Sequence, residues 1–246
     1  MKVRNVKSRI INTNTTLNTR DLGGLRTLDN KTTKFNVFIR SDNLVSNDDS
    51  IYTIVDLIND YKLKNVIDLR ASVEVEKDIS MASKIKGIKY NNISLVNFMP
   101  LGYGVPKEYE YKELSQWYID ILEKSKNEIK DILTNIYNNK GCTLFNCTMG
   151  KDRTSMIAMI LLLIAKVDKK VIARDHAISA KNVVAVYAPY LHTMSDNQLV
   201  FTKVKYHDII RTINYIENVY ENINGYLKSC GIETKIINNL RRRFVE

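Results

Sequence analysis

Cys147 and Arg153 stand six positions apart in the stretch Asn146-Cys147-Thr148-Met149-Gly150-Lys151-Asp152-Arg153-Thr154. A short apolar run, Thr143-Leu144-Phe145, precedes it, and a long apolar helix is expected to follow over 155–166. A loop between a buried strand and a helix N-terminus gathers backbone N–H groups, here those of Thr148, Met149, Gly150 and Lys151. Together with the positive end of the helix dipole they favour an anion. The same field favours a thiolate over a thiol, which makes Cys147 a candidate nucleophile. Arg153 adds a planar fork of donors that fits two oxygens of a phosphate. A nucleophile beneath an anion cradle is suited to phosphoryl transfer through a phosphocysteine. Gly150-Lys151 does not fit a nucleotide-binding loop, because the required upstream glycine and following Ser/Thr are replaced by Phe145 and Asp152.

Several elements must position these groups. Residues 37–39 and 65–69 read as short buried strands, with further strands at 88–93 and 142–145. An apolar-periodic helix over 51–61, capped by Asp48 or Asp49, lies between the first two. The loop 97–106 is rich in Gly and Pro. Residues 108–138 then read as helices with apolar spacing at Leu114, Trp117, Tyr118, Ile121 and Leu122. Beyond the catalytic helix, helices are expected over 169–179, 206–228 and 233–244, with a further segment near 187–190. Alternating strands and helices predict an α/β fold: a mostly parallel central sheet flanked by helices, with a helical C-terminal third. Sites in open sheets of this kind lie beyond the carboxyl ends of the strands. Cys147, Arg40-Ser41-Asp42 and Asp68-Leu69-Arg70 all fall at such ends, so three strand ends could converge on one phosphate.

The loop resembles Cys-x5-Arg-Ser/Thr of the cysteine-dependent phosphatases, in its Gly-Lys-Asp-Arg-Thr version that of the bacterial and fungal tyrosine phosphatases. The resemblance extends, in order, over about 15 to 246. It includes Asn18-Thr19-Arg20-Asp21-Leu22-Gly23-Gly24, Phe38-Ile39-Arg40-Ser41-Asp42, Ile67-Asp68-Leu69-Arg70 with Glu74 or Glu76 after it, and Asp175-His176-Ala177-Ile178-Ser179. It implies a protein tyrosine phosphatase whose reach extends to phosphoserine/threonine and phosphoinositides. It supports Asp152 as general acid and base inside the loop, with Asp68 as the backup acid. Thr154 would donate its hydroxyl to the cysteine sulfur, and Lys151 would add charge for a polyanionic substrate. Arg20, Arg40 and Arg70 would bind substrate. Segment 97–138, with Tyr103, Tyr109, Tyr111, Trp117 and Tyr118, would form a helical lid within a single domain over 1–246. Two departures stand out: Asn146 replaces a usual histidine, where its amide is expected to bond loop backbone, and Ser155 replaces a glycine.

The remaining composition sets limits. The 246 residues are 44% hydrophobic and 26% charged, with 9 glycines and 3 prolines, which suits one globular domain without linkers. The net charge of +10 suits phosphorylated proteins, phosphoinositides or peripheral contact with an anionic membrane. No motif with interleaved aromatics supports nucleic-acid binding, and no obligate partner is expected. Arg241-Arg242-Arg243 reads as a solvated basic helix end. Cys142, Cys147 and Cys230 are too scattered for a disulfide framework, and three histidines do not make a zinc cluster. No cofactor or metal is expected, since thiolate and guanidinium supply the electrostatics. No signal peptide is visible, so a cytoplasmic location is expected, with secretion the alternative had a leader been removed. A sulfurtransferase with a persulfide on Cys147 and a non-catalytic phosphate-binding module are competing readings. In-loop Asp152 and Arg153-Thr154 favour phosphoryl chemistry.

Overall fold

The computed structural model describes residues 8–45, 47–99 and 110–246. Five strands form one sheet: β1 (Arg20–Asp21), β2 (Phe38–Ser41), β3 (Leu63–Asp68), β4 (Lys89–Asn92) and β5 (Cys142–Asn146), in the order β1-β2-β5-β3-β4. Only β1 is antiparallel; β2, β5, β3 and β4 run parallel. This is the expected mostly parallel sheet. The short edge strand β1 was hidden because its two residues carry no periodicity.

Spatial order differs from chain order at the centre, where β5 inserts between β2 and β3. Its neighbours cover it on both edges and helices cover both faces, so all five of its residues are buried. Side chains alternate across the sheet. Phe38, Ile67 and Phe145 enter the larger core with α5 (Asp152–Ile164), whereas Ile39, Val66 and Leu144 face Ile54 and Leu57 of α1 (Asp48–Tyr61). Helix α5 is apolar nearly all round and buried along its length, as a central helix must be. It begins at Asp152, three residues earlier than expected. Asn47 caps α1, its side chain accepting from the Ser50 N–H at 2.9 Å, in place of either aspartate.

A short helix α2 (Ser72–Lys77) follows β3, and α3 (Leu114–Lys124) and α4 (Lys126–Asn138) precede β5. The chain breaks between α3 and α4 at Ser125, whose hydroxyl donates to the Leu95 carbonyl at 2.9 Å. Trp117, Tyr118, Ile121, Leu122, Ile129 and Ile132 all belong to the larger core. The described part of segment 97–138 is therefore packed as a layer of the core. Tyr103 and Tyr109 lie outside the described residues.

The last third is helical, as expected, but more finely divided: α6 (Lys169–Tyr187), a 3-10 turn over Ala188–Thr193, α7 (Asp196–Thr202), α8 (Tyr206–Tyr220), α9 (Ile223–Ser229) and α10 (Thr234–Phe244). The helix expected over 206–228 breaks at Glu221, where φ is +64°, and Asn222 recaps it by accepting from Asn224 and Gly225. The basic end of α10 is not simply solvated. Arg241 donates to the Ile164 carbonyl at 3.2 Å, and Arg243 to those of Ile136 and Asn139 at 2.8 and 2.9 Å. Two arginines thus satisfy carbonyls at the ends of α5 and α4. Among the described residues no helix is long and apolar enough to cross a membrane.

Candidate active site

The parallel register brings Ser41, Asn146 and Asp68 side by side at the carboxyl edge of the sheet. The loop from Cys147 to Lys151 leaves this edge and enters α5. Its shape is held from outside through its carbonyls. Asn43 N–H donates to Thr148 O at 3.2 Å, Asn18 Nδ2 to Met149 O at 2.9 Å, and Arg40 to Gly150 O at 2.8 Å. Because each peptide is planar and trans, a carbonyl held outward turns the following N–H the other way. The N–H groups of Met149, Gly150 and Lys151 are thereby directed towards the inside of the loop. Gly150 is required here: its φ is +61°, and a Cβ would stand 2.6 Å from the Asp42 nitrogen.

Cys147, Thr148, Met149, Asp152 and Arg153 line one cavity of about 240 Å³, with Glu74, Trp117, Tyr187 and Phe201 as its other walls. The expected nucleophile, arginine and acid are therefore brought together. Arg153 is gripped by Glu74 through NH1 to Oε2 and NH2 to Oε1, at 2.5 and 3.0 Å, and NH2 also reaches Thr148 Oγ1 at 3.1 Å. Burial opposes the Arg153 charge, but Cys147 and Glu74 outweigh it and hold the guanidinium above its ordinary value. Burial likewise opposes the Glu74 carboxylate, yet Arg153 and Thr148 hold its pKa down at about 2. Glu74 also accepts from the Ala71 N–H at 2.9 Å, which fixes it to the start of α2. Glu74 and Glu76 were not distinguishable in sequence; the capping contact at Ala71 selects Glu74.

Asp152 is the first residue of α5. Tyr118 of α3 donates to its Oδ1 at 2.5 Å, and Lys151 Nζ lies 3.3 Å from its Oδ2. The Lys151 ammonium is fully buried and donates to the carbonyls of Phe201 and Lys203 at the end of α7. It does not line the cavity, so the expected contact with a polyanionic substrate is replaced by a tie between the loop and α7. Thr154 Oγ1 is buried and finds no hydrogen-bond partner among the described residues, so its expected donation to the sulfur is not made. Neither amide atom of Asn146 finds one either, which corrects the expectation that it bonds loop backbone.

The three outer arginines are placed as braces. Arg20 and Arg40 are 1% exposed and share Asp175 of α6, at 3.2 and 2.7 Å, with Arg9 as a third partner. Asp175 is held well below the usual carboxylate range by these charges, against the effect of burial. Arg40 also donates to Ser155 Oγ at 2.7 Å, and Ser155 pairs with His176 Nδ1 at 2.8 Å. The serine at the helix start thus links the loop brace to α6. Arg70 turns back onto Asp68, NH2 to Oδ2 at 2.7 Å, and Tyr90 donates to the same oxygen at 3.0 Å. Asp68 is fully buried and outside the cavity, which removes it as the backup acid. Sequence reasoning missed Tyr187 and Phe201 as cavity walls. Both lie past the expected helix 169–179, where no periodicity marks them.

The sequence model of the tyrosine phosphatase family matches residues 11–246. A curated tyrosine-protein phosphatase from Nostoc commune is 32% identical over 115 residues, 46% of this chain and 39% of that protein's length. Among solved structures, TpbA of P. aeruginosa aligns over 82% of this chain and 90% of its own, at 10% identity and a TM-score of 0.33. The catalytic core of Siw14 aligns over 82% and 95%, at 14% identity and a TM-score of 0.33.

Proposed function

The chain belongs to the tyrosine phosphatase family, and from that premise we propose that it hydrolyses phosphate monoesters, phosphotyrosine in proteins first among them, through a phosphocysteine on Cys147. The observation that carries this reading is the convergence of Cys147, Arg153 and Asp152 on one cavity. The Cys147 thiolate attacks phosphorus as the bond to the leaving oxygen breaks. Asp152 gives that oxygen its proton. Arg153 and the loop N–H groups hold the equatorial oxygens through the transition state. Asp152, now a carboxylate, takes a proton from water as the water attacks phosphorus. The S–P bond breaks, and phosphate and the thiolate are released.

The walls support an aryl ester. Trp117, Tyr187 and Phe201 give the cavity aromatic walls suited to a phenol, and Trp117 and Phe201 pack edge to face at 5.0 Å. Lys151 is engaged elsewhere, which weighs against a built-in second phosphate contact from this side chain. Phosphoserine/threonine and phosphoinositides form the wider substrate range. The test is a turnover panel of phosphotyrosine peptide, phosphothreonine peptide and several phosphoinositides, run beside Cys147→Ser. Phosphotyrosine should turn over fastest and Cys147→Ser should be inert. Turnover retained in Cys147→Ser would refute the mechanism, and faster release from phosphoinositides would reverse the substrate order.

A further inference from the structure

We propose that Tyr118 is the positioning residue of the general acid: its phenol, brought in from α3, fixes which oxygen of Asp152 carries the transferable proton and how readily it leaves. This rests on the reading of Asp152 as the acid.

Tyr118 is fully buried, and its ring stands edge-on to His176 at 5.8 Å. Its hydroxyl donates to Asp152 Oδ1 at 2.5 Å. Burial, and then the Asp152 charge, hold Tyr118 well above the ordinary tyrosine value, so it remains a phenol wherever the enzyme works. A phenol has one proton, and here it is committed to Oδ1. Oδ2 is the oxygen left to carry and exchange a proton with the substrate. Lys151 Nζ stands 3.3 Å from Oδ2 as an ion pair, but two of its donors are taken by the carbonyls of Phe201 and Lys203, so its contact with Oδ2 is one of charge. The carboxyl is therefore held by a hydrogen bond from α3 at Oδ1 and by the charge of the neighbouring loop lysine at Oδ2, the phenol standing as an orienting group behind a catalytic one.

The other charged or titratable groups acting on this pair are Lys151, Arg153 and Cys147 of the loop, Tyr187 and His176 of α6, Asp208 of α8 and, through Tyr118, Arg40. Tyr118 donates a neutral hydrogen bond directly to the carboxylate, so removing its hydroxyl leaves the net charge unaltered. A donor to a carboxylate stabilises the ionised form. Without it the acid keeps its proton to higher pH, and the alkaline fall of kcat must move upward. A charge-assisted bond of ordinary strength corresponds to roughly one pH unit. Loss of orientation should lower kcat only where the leaving group needs a proton, by roughly ten-fold.

The experiment measures kcat and KM against pH for Tyr118→Phe, Asp152→Asn and the unaltered chain, on phenyl phosphate and p-nitrophenyl phosphate, with vanadate inhibition alongside. For Tyr118→Phe the expected result is unchanged KM and vanadate inhibition, slower phenyl phosphate turnover, little change on p-nitrophenyl phosphate, and an alkaline limb displaced upward. An unmoved limb and no dependence on leaving group, while Asp152→Asn shows that dependence, would overturn the role of Tyr118 alone. Equal slowing of both esters by Asp152→Asn would remove the acid assignment and the proposal with it. Should Tyr118→Phe lose vanadate binding through misfolding, 3-fluorotyrosine placed at position 118 decides. Its more acidic hydroxyl should move the limb downward, and an unmoved limb would overturn the proposal.

Discussion

Glu74→Gln removes the carboxylate that grips Arg153 while keeping its shape. Glu74 titrates at about 2 rather than 4.5, and its side chain is 25% exposed. Each pH unit of that difference is worth about 1.4 kcal/mol, so the grip contributes about 3 kcal/mol to folding at neutral pH. The sign follows from a depressed folded-state value. The contribution is complete above the unfolded value, near 4.5, and is lost as pH falls through about 2. Glutamine can still accept from one guanidinium nitrogen, so the variant should be about 2–3 kcal/mol less stable at neutral pH. Urea unfolding of both chains at several pH values measures this. The two stabilities should converge as the medium is acidified. A difference that is absent at neutral pH, or that stays constant into acid, would refute the argument. The same variant reports on chemistry: a guanidinium without its bidentate partner holds phosphate less well, so vanadate inhibition should weaken by roughly ten-fold.

Cys147→Ser should abolish turnover yet bind vanadate, because a serine hydroxyl is not ionised at neutral pH and the cradle remains; Arg153→Ala should lose both, as inhibition and kinetic assays will show. Gly150→Ala forces a Cβ against backbone of Ser41 and Asp42 at 2.6–2.7 Å, so the loop must shift and turnover should fall by roughly a hundred-fold. Unchanged kcat in that variant would mean that the loop geometry is not limiting. Asp175→Asn leaves buried arginines without their carboxylate, and denaturant unfolding at neutral pH should show a loss of about 3–5 kcal/mol. Since Asp175 is held below its ordinary range, that loss should shrink as pH falls.

The chemistry of the loop was legible because nucleophile, glycine, acid and arginine are contiguous, and a short apolar run before a long apolar one has few structural meanings. The side-by-side alignment of three strand ends was legible for a related reason, since Ser41, Asp68 and Asn146 each end a β-branched or apolar run and parallel strands align their carboxyl ends, but Arg40, Asp68 and Arg70 do not line the cavity as expected. The destination of each arginine was not legible. Arg20, Arg40 and Arg70 have the same local signature as substrate-binding arginines, and only the approach of α6 gives two of them to Asp175. Lys151 was misplaced for the same reason, since its carbonyl partners lie about fifty residues away in α7. Aromatic spacing at 117–118 correctly suggested core, but a period cannot tell that one ring of the pair would line the cavity and the other would hold its acid.

Asp175 is opposed by three arginines, so the interior behind the phosphate loop carries an excess of positive charge. Dissolved ions screen exposed charges over about 8 Å at physiological ionic strength, but they cannot enter a closed interior. The pull on phosphate therefore divides by range. The far field of the net +10 charge fades as salt is added. The short-range pull from Arg20 and Arg40 persists, because no counterion can sit beside them. Encounter with a bulky acidic substrate should slow in strong salt, while the hold on a small phosphate already in the cavity should change little.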